Sequence, residues 1–214
     1  MTASTSENNT GIKNHVLVFI IYALLIAAFY SPVFFSGKSL VPSLYQPHGV
    51  TSRGVYGEKG RTPLNTFNVD MATPVYYEAP VNKLVGDMYR EGKVPLWNPY
   101  QGGGTPLAAQ YSTRVFFPYQ IAEDLSPEWT WDYFLLGRLL IAGFFTYLFI
   151  SSLCGGTSFS AFAGGLFYMF SGVFTWFISL EQLTNTAMTL PVLLLSVELL
   201  ARGAPGVRWV RVKI

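Results

Sequence analysis

Val16 to Phe35 is a run of 20 residues without one charged side chain. As a helix rising about 1.5 Å per residue it spans roughly 30 Å, the thickness of a bilayer's hydrocarbon. Tyr133–Leu153, Phe159–Ile178 and Thr184–Leu200 repeat the pattern, broken only by Arg138 and Glu198. In lipid every backbone polar group must find its partner within the segment, so each run reads as a helix. The chain is expected to be all-α, with four transmembrane helices at 16–35, 133–153, 159–178 and 184–200.

Only 12% of residues are charged, about half the share in a soluble domain. A formal net charge of +2 is too small to point to a nucleic-acid partner. Cys154 is the single cysteine, which excludes a disulfide within the chain and a cysteine-based metal site. The first run is longer than a signal-peptide core, and the bulky Ser31-Pro32-Val33-Phe34-Phe35-Ser36 that follows offers no small-residue cleavage site. It reads as an uncleaved anchor.

Lys13 precedes the first run, and Arg202, Arg208, Arg211 and Lys213 follow the last, whereas the short connection before the fourth run carries Glu181 and no basic residue. The positive-inside rule puts the 1–15 and 201–214 termini in the cytoplasm, and the 36–132 loop outside with Glu181 and Gln182. Its eight basic residues between Ser36 and Glu128 do not oppose this, because long loops cross largely regardless of charge.

Within the loop, Thr73-Pro74 reads as an N-cap and first helical residue, and Gly92 as a C-terminal stop. Val81, Leu84, Val85 and Met88 recur at helical spacing opposite Lys83, Asp87, Arg90 and Glu91, which predicts an interfacial helix lying apolar side down. Pro80 should kink or restart it. Trp97–Pro106 is turn chemistry. Phe116, Phe117, Tyr119, Trp129 and Trp131 are expected to form an aromatic belt. Gly164, Gly165 and Gly172 should let helices approach closely, and Pro191 should interrupt the fourth. Glu198 and Arg202, four apart, read as an end-pair.

No nucleophilic triad is evident, and the glycine run lacks the GK[ST] ending of a phosphate loop. Two charged residues stand out. Asp70, beside Asn68 and Thr73, is either a solvated acid near a helix start or a carboxylate at the membrane edge that could act as general base or hold a divalent cation. Arg138 lies inside an apolar run, where a charge costs roughly 2.5–3.5 kcal/mol on insertion scales. It either snorkels outward, towards Asp132, or faces a polar cavity that could take an anionic head group.

Asp70, Pro80, Gly92-Lys93-Val94-Pro95-Leu96-Trp97-Asn98-Pro99, Gly104-Thr105-Pro106-Leu107, Gln110 and Phe116-Phe117-Pro118 together resemble the first outer loop of the bacterial YfhO family, within the polytopic GT-C glycosyltransferases. Leu153-Cys154-Gly155-Gly156, Phe162–Gly172 and Leu190-Pro191 resemble the helices that follow, so the resemblance covers residues 16 to about 203. It implies transfer of a sugar from a polyprenyl-phosphate donor to an extracytoplasmic acceptor at a bacterial cytoplasmic membrane. Asp70 takes the place of the catalytic acid, with Mg or Mn as a potential metal there. Arg138, Arg114, Gln110 and Glu181 are the expected substrate-binding set. Family members are several times longer, which makes this chain an N-terminal portion, and Arg53–Thr66 has no counterpart. The rivals are a transporter or flippase subunit and a structural assembly subunit.

Overall fold

A computed structural model of the chain describes residues 3–41 and 73–203. Asp70 and the Arg53–Thr66 stretch lie outside the described residues. The described chain is mostly helical: α1 (Ala3–Phe29), α2 (Ser31–Phe35), α3 (Ala79–Arg90), α4 (Pro118–Leu125), α5 (Trp131–Cys154), α6 (Phe159–Met169), α7 (Gly172–Trp176) and α8 (Glu181–Gly203). Among the described residues, three stretches are long and apolar enough to cross a membrane: Glu128–Cys154, Phe159–Trp176 and Glu181–Gly203. A fourth apolar stretch, Lys13–Phe29, is shorter. Two of the four expected runs, 16–35 and 159–178, are divided in the structure, each for a local reason. Pro32 lacks an N–H and its ring crowds the carbonyl four residues back, so the first run divides into α1 and α2. Ser171-Gly172 divides the third run into α6 and α7, as Gly/Ser pairs do.

The chain clusters into two compact units. The first comprises 1–30, 138–171 and 186–214, and is the apolar unit. Its helices close on glycine, as the sequence indicated for Gly164 and Gly165. A Cβ at Gly165 would lie 2.5 Å from the carbonyl oxygen of Gly143 and would also strike the Tyr22 hydroxyl. A Cβ at Gly164 would strike Ile150, whereas Gly172 has only Trp176 at 3.8 Å. The Tyr22 hydroxyl donates to the Phe162 carbonyl at 2.6 Å, tying α1 to α6.

Pro191 does not interrupt the fourth helix: α8 runs through it. The missing N–H should leave the Ala187 carbonyl without its helical partner. Tyr168 of α6 supplies the replacement, its hydroxyl donating to that oxygen at 2.9 Å. Further along, Arg202 Nε donates to Glu198 Oε1 at 2.6 Å, the expected end-pair, and Arg202 also reaches the Ser152 carbonyl.

The second unit comprises 31–137 and 172–185, so it contains the long loop and the first turn of α8. A π-helical turn, Pro74–Glu78, runs into α3 at Ala79, which is the restart that Pro80 demands. Thr73 is itself in helical conformation and makes no side-chain cap bond, contrary to its expected N-cap role. Gly92 does stop α3. It sits at φ +71, its N–H donates to the Tyr89 carbonyl at 3.0 Å, and Lys93 N–H donates to Met88 at 2.8 Å, a Schellman closure.

The apolar face of α3 is not left for lipid. Val81 and Val85 pack with Leu107 and Val115, flanked by Tyr77, Leu84 and Met88, into a small core of the loop's own. Gly86 lets α3 approach α4, since a Cβ there would strike the Asp124 backbone, and Arg90 Nη2 donates to the Asp124 and Leu125 carbonyls at 3.1 Å each. That guanidinium satisfies carbonyls at the end of α4 that no further turn can reach.

Turn chemistry alone does not describe Trp97–Pro106. Trp97-Asn98 (β1) and Thr105-Pro106 (β2) pair antiparallel, Trp97 opposite Pro106 and Asn98 opposite Thr105. Gly104 at φ +113 lies so close to Trp97 that a Cβ would sit 2.5 Å from the indole. The expected aromatic belt is split as well. Trp131 is buried and donates its indole N–H to the Glu123 carbonyl at 3.1 Å, and Tyr119 donates to Phe134 at 2.8 Å, while Phe116 and Trp129 remain exposed.

Candidate functional site

Arg114 is the only non-glycine residue with positive φ among the described residues, at +48°. Its neighbours explain how that conformation persists. Thr113 is fully buried, and its hydroxyl donates to the carbonyls of Leu107 at 2.5 Å and Gln110 at 2.9 Å. On the other side, the Tyr89 hydroxyl holds the Val115 carbonyl at 2.6 Å. Burial, and then the charge of Asp124, push the Tyr89 hydroxyl above the ordinary tyrosine range, so it stays protonated and donating. With both flanks pinned, the strained residue between them is over-determined.

Its side chain is correspondingly well placed, with 6% of its surface exposed. Nη2 donates to Glu181 Oε2 at 2.9 Å and to Asn82 Oδ1 at 3.2 Å, and Nη1 donates to Gln182 Oε1 at 3.0 Å. Glu78 Oε1 stands 3.6 Å from Nη1. The Asn82 amide nitrogen donates to both oxygens of Glu181, at 3.1 and 3.0 Å. Asn82 therefore faces the guanidinium with its oxygen and the carboxylate with its nitrogen, a single consistent orientation. Glu78 Oε2 also accepts from the Glu181 N–H, at 3.4 Å.

Two carboxylates thus share one guanidinium in a buried setting. Burying unmatched charge is costly, and the first turn of α8 offsets it. Glu181 is the first residue of that helix, where the partial positive charge of the exposed N–H groups favours carboxylates. One turn along α8, Asn185 donates to Gln120 Oε1 at 3.1 Å, and Gln120 donates to Asp124 Oδ1 at 2.8 Å. All three are buried. The first turns of α8 are therefore read by polar side chains from α3, α4 and the Arg114 turn.

Of the sequence-derived candidates, the structure brings Arg114 and Glu181 into direct contact. Gln110 belongs to the turn that shapes Arg114, through its carbonyl, while its side chain accepts from the Tyr77 hydroxyl. Arg138 is fully buried in α5, so it does not snorkel to solvent, and Asp132 accepts instead from the Leu40 N–H at 2.6 Å and from Ser39 at 3.0 Å. Glu78, Asn82 and Gln182 complete the Arg114 cluster without having been singled out as site residues. The spacing of Glu78, Asn82 and Gly86, each four apart, was the available signal, because it puts two polar residues and a gap on one face of a helix. Among the described residues no group of three His, Cys, Asp or Glu side chains could hold a metal ion. Nor is any nucleophile paired with a base within the cluster. Its chemistry is that of a clamp.

Fold and site together define a mostly helical chain with three helices of membrane-crossing length and composition, and a long loop that folds around buried charge. Compared with known proteins, the chain matches no family model, no curated protein and no solved structure.

Proposed function

We propose that the chain is the N-terminal part of a GT-C-type glycosyltransferase that moves a sugar from a polyprenyl-phosphate donor to an acceptor outside a bacterial cytoplasmic membrane. The observation that carries the reading is the folded loop. A connector between membrane helices has no need of a buried arginine–carboxylate cluster or a core of its own, whereas a working surface needs both to hold its shape. The resemblance of the Gly92–Leu107 block to the YfhO family supplies the activity. In this reading Asp70, three residues before Thr73 in sequence, is the general base or a ligand of Mg or Mn. Arg114 and Glu181 hold the surface in register, Gln110 belongs to the donor side, and Arg138 is a separate candidate for an anionic head group.

Asp70→Asn in the full-length gene product tests this. Loss of a general base should lower polyprenyl-phosphate-sugar turnover by at least about a hundredfold. Asp87→Asn should leave turnover unchanged, because Asp87 is an exposed partner of Arg90 at 2.7 Å. Membrane levels of both variants serve as the control, and near-normal turnover by Asp70→Asn would sink the assignment. One observation favours the second reading, a non-catalytic component such as a flippase or assembly subunit: both terminal nitrogens of Arg114 already have protein acceptors. Such a component would move or hold the lipid-linked sugar without releasing it.

A further inference from the structure

The apolar unit contains a groove of about 270 Å³, lined by Asn14, Leu17, Tyr147, Ser158, Phe159 and Phe162 among others. It lies near the N-terminal end of the apolar part of α1. The volume falls just below the ~300–1,000 Å³ of small-molecule sites, enough for part of one hydrocarbon chain and not for a whole lipid. Its walls stay open on one side, with Leu17 55% and Phe159 82% exposed. The His15–Tyr147 contact, 2.9 Å between Nδ1 and the hydroxyl, fixes α1 against α5 along the groove.

The rim is polar and basic. Asn14, Thr157 and Ser158 lie at one end. Lys13 is exposed and stands one turn before Leu17 on the same side of α1. Ser158 caps α6, its hydroxyl accepting from Ala161 N–H at 3.1 Å, and the first N–H groups of that helix have no partner within it. From residue 13 onward the described part of this unit has one acid, Glu198, and Arg202 holds it at 2.6 Å. The rim is thus complementary to a phosphate, and the groove to a hydrocarbon chain.

We infer that this groove binds one anionic phospholipid of the bilayer, with an acyl chain along Leu17, Tyr147 and Phe162 and the phosphate at Lys13, Asn14 and the first turn of α6. The site is separate from the transferase reading and does not depend on it. None of the residues assigned to that reading lines the groove.

Native mass spectrometry of the delipidated protein, offered equimolar phosphatidylglycerol, phosphatidylcholine and polyprenyl phosphate, tests the assignment. Phosphatidylglycerol should be retained over phosphatidylcholine by roughly fivefold, the effect of one lysine on an anionic lipid. Lys13→Gln, on an exposed side chain that folding does not need, should erase that preference. Val18→Trp, which fills the groove, should remove most of the bound phosphatidylglycerol. Equal retention of the two phospholipids, a preference that survives Lys13→Gln, or unchanged binding to Val18→Trp overturns the proposal. So does polyprenyl phosphate displacing phosphatidylglycerol from the wild-type protein.

Discussion

The two units of this chain differ in how many charged side chains they bury and in how those are matched. In the apolar unit, tyrosine hydroxyls bond backbone carbonyls singly, Tyr168 the one that Pro191 abandons and Tyr22 that of Phe162, and Arg138 is the one fully buried charge among its described residues. Cohesion there comes from glycine, which lets helices touch at Gly143 and Gly165. In the loop unit, whole charged side chains go inside and are matched against one another around Arg114. Added volume at Gly165 tests the apolar unit, and a missing charge at Arg114 tests the loop unit.

The sharpest way to break that contrast is Arg114→Met. It leaves Glu78 and Glu181 buried without a cation, and unfolding in detergent should show a loss of about 3–5 kcal/mol. Glu78→Gln, by contrast, keeps an acceptor for the Glu181 N–H and removes the surplus charge, so it should cost little. If Arg114→Met proved as mild as Glu78→Gln, the cluster would not be what holds the loop.

In the apolar unit the matching test is volume. Gly165→Val drives a side chain into the Tyr22 hydroxyl and the Gly143 carbonyl, and overpacking of this kind costs about 3 kcal/mol. The thermal midpoint in detergent should fall accordingly, and an unchanged midpoint would mean the helices are not in contact there.

Tyr168→Phe is the next smaller effect. It orphans the Ala187 carbonyl at a cost of about 1–2 kcal/mol. Pro191→Ala restores the helical N–H, so in the double variant Tyr168→Phe should cost almost nothing. That non-additivity, measured by a double-mutant cycle, distinguishes backbone repair from simple packing.

Smallest of all is the pair between Lys83 and Glu128, 2.9 Å apart with both side chains largely exposed. The bond to Glu128, and then its charge, raise the Lys83 ammonium above the ordinary lysine range. Its contribution is therefore present below that ordinary range and lost as pH rises through the raised value. Solvent screening makes it slight. Lys83→Met should leave the unfolding midpoint unchanged at neutral pH, and a clear drop would show that surface charge matters to the loop unit too.

What could be read from sequence follows the same division. Apolar runs announce their helices because lipid imposes one rule on all of them, and the glycines at 164 and 165 and the pair Glu198–Arg202 follow from spacing within one element. The continuation of α8 through Pro191 was not legible, because it depends on a tyrosine from another helix. In the loop, Gly92 and Pro80 act locally and were legible. The Arg114 cluster was only half so. Arg114 and Glu181 stood out singly as charges, but their meeting depends on residues far apart in the chain, and nothing local marked Glu78 and Asn82 as their partners. The apolar stripe of α3 gave the right helix and the wrong neighbour, since periodicity reports that a face is covered and not by what.

The separation of the Arg114 partners along the chain also sets a timetable. Glu181 follows Arg114 by 67 residues and Glu78 by 103. During synthesis, Arg114, Glu78 and Asn82 are all made well before the acid that joins them. Until the start of α8 has been delivered, Arg114 has Glu78 and Asn82 but not Glu181, so the cluster is unfinished, and closing so long a span is slow compared with forming a helix. A chain interrupted before Glu181 cannot close the clamp, so the loop's final shape registers whether α8 has arrived.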